Sequence, residues 1–170
     1  MMMRVLMGTG LSLALFASGA VAGPENVKWP GDYKANFTHY FSGDRTANDK
    51  QVIRIYANPI AVKGAEADGK LPYGSVLVAE LYKAKLDADG EAVESGLGRR
   101  IIDKLAAIVV MQRGEGFDKE YGEELKVGDW EFAVFKPFGE RVDKDVTGCR
   151  ECHHPLTDSE FVFSLEHLAR

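Results

Sequence analysis

Apolar and polar residues alternate in several stretches of the chain, and each alternation predicts a strand. Gln51 to Ala57 alternates and is rich in β-branched residues, and Asn58-Pro59 stops it. Ser75 to Leu86 is the longest candidate. Ser75, Leu77, Ala79, Leu81 and Lys83 fall on one face, with Val76, Val78, Glu80 and Tyr82 on the other. Asp87-Ala88-Asp89-Gly90 then signals a turn, and the Gly-rich Glu91 to Arg100 reads as a loop. Lys104 to Gln112 contains the unbroken apolar run Leu105 to Met111, which suits a central strand. Asp129 to Lys136 alternates again, with Trp130, Phe132 and Val134 on one face.

Helical spacing shows in three places. Tyr33, Phe37, Tyr40 and Phe41 recur at i, i+4, i+7 and i+8 behind Asp32, predicting a capped helix whose aromatic stripe packs on the sheet. Ile60 to Gly69 predicts a short helix ahead of the Leu71-Pro72-Tyr73-Gly74 turn. Thr157-Asp158-Ser159-Glu160 resembles a capping box before Phe161, Val162, Leu165 and Leu168, so a helix is expected to end the chain. Gly114 to Gly128 is charged and reads as a surface excursion with a helical turn; Gly23 to Gly31 reads as an irregular lead-in. No internal repeat interrupts this order. The fold class expected is α+β, mostly antiparallel β-sheet with a few flanking helices.

Residues 1–22 change the picture of compartment. Arg4, the apolar run Val5 to Ser18 and Ala20-Val21-Ala22 have the three parts of a secretory signal peptide with its small-residue cleavage site. The run is too short for a membrane anchor, and no later stretch has the length to span a bilayer. Export to the periplasm is expected, with residues 23–170 as one domain. Losing Arg4 takes the formal charge from −5 to −6. Such an acidic chain without a basic patch argues against nucleic acid or anionic membrane partners.

The chemistry concentrates in Cys149-Arg150-Glu151-Cys152-His153, close to the C-terminus. In an exported chain, C-x-x-C-H reads as the attachment site of one covalent haem c. Cys149 and Cys152 would form thioethers with the porphyrin vinyl groups, and His153 would be the proximal ligand of the iron. A zinc site would need four ligands from Cys149, Cys152, His153 and His154, too close together to close a tetrahedron readily. A thioredoxin-like dithiol expects a βαβ context, and a disulfide leaves His153 without a role. These two are the only cysteines, so haem attachment excludes a disulfide framework.

One proximal histidine leaves the other side of the iron to be accounted for. Met111 is the only methionine beyond the signal segment, so a six-coordinate electron carrier of the His/Met type must use it; core packing explains its position more simply. His154 and His167 are weaker candidates, and His39 reads as a surface residue. An open iron that binds small uncharged ligands is the leading state. Glu140, Asp143 and Asp145 are the nearest carboxylates in sequence that could act as a base, but they read more simply as a solvated loop. Pocket candidates are Phe37 and Phe41, with Leu77 and Ala79 on the long strand.

The chain resembles the cytochrome P-460 family, which includes the cytochromes c-prime-beta. The resemblance is carried by Trp29-Pro30-x-x-Tyr33-Lys34, the strand ending at Asn58-Pro59, the strand Gly74 to Leu81, Gly128-Asp129-Trp130, the C-x-x-C-H motif, and the Thr157-Asp158 and Phe161-Val162-Phe163 tail. It implies a mostly β haem domain, usually a homodimer, with five-coordinate iron. Family members oxidise hydroxylamine, passing electrons to a redox partner, or bind nitric oxide and carbon monoxide. The oxidising members carry a lysine on the strand matching Gly74 to Leu81, joined to the porphyrin edge. Ala79 stands at that position, and Lys83 lies on the same face about 13 Å away at strand rise. The resemblance therefore implies binding of nitric oxide or a similar nitrogen ligand ahead of oxidoreductase activity on hydroxylamine or nitric oxide.

Overall fold

The structure is a computed structural model that describes residues 23–170; the predicted signal segment lies outside the described residues. Six strands form one antiparallel meander in the order of the chain. They are β1 (Thr38–Asp44), β2 (Gln51–Ala57), β3 (Val76–Ala84), β4 (Ile102–Arg113), β5 (Trp130–Phe135) and β6 (Arg141–Val142). Four short helices accompany them: α1 (Tyr33–Asn36), α2 (Pro59–Asp68), α3 (Thr147–His153) and α4 (Leu165–Leu168). The α+β class expected from the residue pattern is the one observed. Among the described residues, no helix is long and apolar enough to cross a membrane.

The β2–α2–β3 unit shows how local chemistry sets the boundaries. Asn58 is the N-cap of α2: its Oδ1 accepts from the Ala61 amide at 3.0 Å and also from the Val76 amide at 3.1 Å. Its Nδ2 donates to the Gly74 carbonyl at 2.8 Å, so one side chain starts a helix and fixes the head of β3. Pro59 occupies the first turn, where no amide hydrogen is needed, and Gly69 closes the helix in the left-handed region.

Pairing register sorts the sheet into rows on two faces. On the first face, Ala57, Leu77, Met111 and Phe132 are cross-strand neighbours and all are buried. Ala61 and Ala65 of α2, with Leu71, Val127, Val146, Val162 and Leu168, cover that row. The next row on the same face, Ile55, Ala79, Val109 and Val134, is equally apolar but only partly buried. So is the third, Ile53, Leu81 and Ala107. On the second face, Val78, Val110 and Ala133 are sealed under Val27, Tyr33, Trp29 and Phe37.

Two helical expectations fail. The aromatic stripe from Tyr33 to Phe41 is not one helix, because α1 stops at Asn36 and β1 begins at Thr38. The β-branched and aromatic residues from Thr38 onward pair with β2 instead, across an irregularity between His39 and Phe41. Asp32 makes no side-chain capping bond. The capping box at Thr157 is not formed either: Thr157–Ser159 is a single 3₁₀ turn, and Glu160 and Phe161 follow with φ of 53° and 61°. Only Leu165–Leu168 is helical in that tail. Nor is the Gly114–Gly128 segment a plain surface excursion, since Phe117 and Asp118 within it are buried.

Candidate haem-attachment site

Helix α3 has two unlike faces. Cys149, Cys152 and His153 stand at i, i+3 and i+4, which puts them on one stripe. Arg150 and His154, also four apart, form the adjoining stripe and are fastened down. The Arg150 guanidinium is fully buried. Its Nη1 donates to Asp118 Oδ1 at 2.7 Å and to the Leu125 carbonyl at 3.1 Å. Its Nη2 donates to the Trp130 carbonyl and to Glu131 Oε2, both at 2.9 Å. The Tyr121 ring lies 3.4 Å from the guanidinium carbon. Nδ1 of His154 donates to the Lys126 carbonyl at 2.7 Å. Asp145 supports the start of the helix by accepting from the Thr147 amide at 2.8 Å.

The partners of Arg150 are themselves tied in place. Asp118 Oδ2 accepts from the amides of Val127 (2.8 Å) and Asp129 (2.7 Å). Glu131 Oε2 also accepts from the Tyr121 hydroxyl at 3.0 Å and from the Gly23 amide at 3.1 Å. The Arg150 charge is held by two hydrogen bonds at each terminal nitrogen, Nη1 and Nη2, while Nε is buried without a partner among the described residues; the four bonds fix how the helix sits and so where its cysteine-bearing stripe points.

His153 is prepared as a neutral imidazole. Its Nδ1 lies 2.7 Å from the Phe161 carbonyl, and a carbonyl only accepts, so Nδ1 carries the hydrogen. The lone pair is then on Nε2, the arrangement that metal-ligating histidines use. Burial holds the imidazole below the usual histidine range, against a smaller opposing effect of the Phe161 carbonyl. The ring packs between Phe132 and Phe163, each with its centroid 5.0 Å away. The accepting carbonyl is delivered by the left-handed pair Glu160-Phe161, a conformation that costs of order 1–3 kcal/mol per residue and needs compensation. Compensation is visible: Trp130 Nε1 donates to the Glu160 carbonyl at 3.0 Å, and Arg113 pairs with the Glu160 carboxylate. Gly128 completes the fit, because a Cβ there would sit 2.6 Å from the Phe161 ring.

No disulfide joins the two cysteines; Cys149 is half-buried and Cys152 exposed. Burial pushes the Cys149 thiol up. Cys149 packs against the buried cluster that covers the first sheet face. His153 touches Phe132 of that row, and Val134, two residues further along β5, belongs to the partly exposed apolar row. The stripe of α3 carrying the thiols and the imidazole therefore sits against the first face, whose second and third rows stay partly exposed. Two thiols, a neutral imidazole and a broad apolar wall fit a haem. Among the described residues, no cluster of three or more His, Cys, Asp or Glu is arranged to hold a metal ion, so the zinc reading gains nothing.

The remaining candidates separate. Leu77 is buried in the covered row and Ala79 is in the partly exposed one. Phe41 is the neighbour of Ile55 and stacks at 4.7 Å on His167, so it borders that wall. Phe37 does not join them; it packs under the second face, since α1 ends one residue before it and the chain turns there into β1. Met111 is packed in the covered row. His39 bonds Ser42 at 2.8 Å and leans on Tyr56, and His167 lies 3.4 Å from the Glu166 carboxylate. Glu140 pairs with Lys136, and Asp143 is exposed.

The residue pattern missed Arg150, Asp118 and Glu131, and missed Phe132 and Phe163 as the walls of the imidazole. A charged residue between two cysteines reads as solvated, and only the fold reveals that it is the anchor. Comparison of the chain with curated proteins returns no match. The sequence model of the family described as Cytochrome P460 matches residues 30–164, from Pro30 at the aromatic lead-in to Ser164 just after Phe163. That span contains the whole sheet, the anchored helix and the tail that orients His153, so this chain belongs to the cytochrome P460 family of haem proteins.

Proposed function

We propose that this chain is an exported c-type haem protein whose iron keeps one coordination position open and binds nitric oxide or a similar small nitrogen ligand. Cys149 and Cys152 are the thioether anchors of one haem per chain, and His153 is the proximal ligand. The observation that carries the reading is the Nδ1–H of His153 committed to the Phe161 carbonyl, which leaves Nε2 as the only free donor atom of that ring. When bound, the haem would supply an iron able to take a small neutral ligand.

The chain's own residues set what such a site does. Phe132 and Phe163 hold the imidazole plane, and the Phe161 carbonyl keeps its hydrogen on Nδ1. The partly exposed rows Ile55, Ala79, Val109, Val134 and Ile53, Leu81, Ala107 present only aliphatic side chains and offer no acid or base. That composition favours an uncharged gas over a substrate that must lose protons. Ala79 cannot make the covalent link to the porphyrin that a lysine there would make. Met111, His39 and His154 are each held in other contacts, which favours five-coordination over the electron-carrier reading.

The test is an optical and resonance Raman spectrum of holoprotein from a host competent in haem maturation, with and without nitric oxide. High-spin five-coordinate iron that shifts on adding the gas supports the reading, and low-spin six-coordinate iron sinks it. Turnover of hydroxylamine with an artificial acceptor would replace binding by catalysis. Export is checked by finding the haem-loaded chain in the periplasmic fraction, and pairing of two chains by light scattering.

A further inference from the structure

The anchor beneath the haem helix has an unbalanced charge. Asp118 and Glu131 are carboxylates, Arg150 is one guanidinium, and all three are buried together. Of the groups that meet Glu131 Oε2, Tyr121 is a neutral hydroxyl, pushed up to about 12 by burial and then by the Glu131 charge. The remaining donor is the nitrogen of Gly23, at 3.1 Å. Gly23 is the residue that follows the Ala20-Val21-Ala22 cleavage signature.

We propose that hydrolysis of the Ala22–Gly23 bond turns this nitrogen into the fourth charge of the cluster, an α-ammonium paired with Glu131 that neutralises the anchor of α3. One water is consumed by a leader peptidase, Ala22 leaves with the carboxylate, and the new amine takes up a proton. Before cleavage the same atom is an amide that donates a single neutral hydrogen bond. After cleavage it carries a full positive charge in a site that already holds its counter-ion. Leader removal therefore does more than release the chain: it tightens the base on which the haem ligands stand.

The segment behind Gly23 is positioned for this without the ammonium. Arg141 of β6 donates to the carbonyls of Pro24 and Val27. The Lys28 amide donates to Gln112 Oε1 at 3.2 Å, and its Nζ reaches the Glu25 carbonyl at 3.3 Å. The charged groups facing Gly23 are then Glu131 and, behind it, Arg150 and Asp118, with the Glu25 carboxylate alongside, where a Cβ on Gly23 would meet it at 2.4 Å. Both nearby carboxylates favour the ammonium. Burial and the Arg150 charge oppose it, so the stabilisation the pair supplies is present while the amine is protonated and is lost as pH climbs through its titration.

The experiment uses the complete gene expressed with its leader and a haem maturation system. Mass spectrometry of the product should find Gly23 as the first residue. Its thermal midpoint should fall as pH rises past about 8, and its α-amine should resist acylation at pH 7 while the unfolded chain reacts. A variant with Ser-Ser inserted between Ala22 and Gly23 moves the amine away. Its midpoint at pH 7 should drop by roughly 3–8 °C and the alkaline decline should disappear, with the haem spectrum unchanged. A start other than Gly23, a freely acylated native amine, or identical melting profiles in the two chains would each overturn the proposal. Should the inserted chain not accumulate, the acylation and pH measurements on the native chain still decide. Absence of haem would sink the proposed function and leave these readouts intact.

Discussion

The two faces of the sheet bury similar residues to different depths. On the second face Val78, Val110 and Ala133 are sealed by the aromatic lead-in, with Trp29 packed on Tyr33 and Phe135. On the first face, one strand position along, Ala79, Val109 and Val134 are just as apolar and yet remain partly exposed. Apolar surface buried in water's absence stabilises by roughly 25 cal/mol per Å², so a chain selected for stability alone would cover both. The uncovered rows lie on the face against which the thiols and the neutral imidazole sit. On the proposed reading of Cys149, Cys152 and His153, incomplete burial beside them is what separates a cofactor wall from a core.

Adjacent residues of β3 provide the harshest test of that distinction. Val78→Asp puts a carboxylate among the apolar side chains of the sealed face and should cost several kcal/mol, enough to abolish a native far-ultraviolet spectrum or soluble expression. Ala79→Asp faces the partly exposed row and should melt within a few degrees of the parent, while its haem-to-protein absorbance ratio falls by roughly half or more. Equal loss of fold in both variants would mean the first face is ordinary core. Equal tolerance would mean it is ordinary surface.

Arg150 joins the faces at the end of the sheet, because Glu131 belongs by register to the second face while α3 rests on the first. Arg150→Met keeps much of the volume but leaves Asp118 and Glu131 without their cation. We expect about 3–5 kcal/mol of destabilisation in chemical denaturation, together with a lower yield of attached haem. The triple variant that also carries Asp118→Asn and Glu131→Gln should recover part of that loss. No recovery would show that packing, not charge, is what Arg150 supplies.

A milder probe stays on the sealed face. Glu80 is fully buried there and accepts from the hydroxyls of Tyr33 (2.6 Å), Tyr82 (2.7 Å) and Tyr56 (3.3 Å), with Lys34 at 2.7 Å. Burial alone would push its carboxyl up, but the bonds from Lys34, Tyr33 and Tyr82 outweigh it and hold the group below the ordinary range. A depressed folded value means that the stabilisation is present above the unfolded pKa of about 4.3 and lost as pH falls through the folded value. Glu80→Gln should therefore cost about 1–2 kcal/mol at neutral pH and flatten the acid limb of the stability curve. The haem spectrum should not move.

Strands were easier to read from the residues than the pieces that hold the ligands. Gln51 to Ala57 is β2 residue for residue, and Asn58-Pro59 ends it, because alternation and a capping asparagine act locally. The C-x-x-C-H spacing likewise needs only one turn of helix to put its three candidate side chains on one stripe. The stripe from Tyr33 to Phe41 misled because its helical spacing competed with pairing to β2, which the local sequence does not contain. Glu160-Phe161 was illegible for a related reason: a left-handed pair of non-glycine residues is held by Trp130 and Arg113, distant in the chain. Asp118 looked solvated until its cation, 32 residues on, was placed beside it.

The smallest effect belongs to Met111, which lies in the covered row of the open face and so on the boundary between the two kinds of apolar surface. If that row is core, Met111→Leu is a volume-conserving exchange among Leu77, Phe132 and the helices above, and should cost less than about 1.5 kcal/mol. Its absorption spectrum should match the parent in both oxidation states, because packing without ligation leaves the iron unaware of the thioether. A shift to a high-spin spectrum would show that Met111 had been a ligand and that the boundary runs one row closer to α2. The same measurement would then transfer Leu77 and Phe132 from core to haem wall, and the sealed fraction of the first face would shrink to what α2 alone covers.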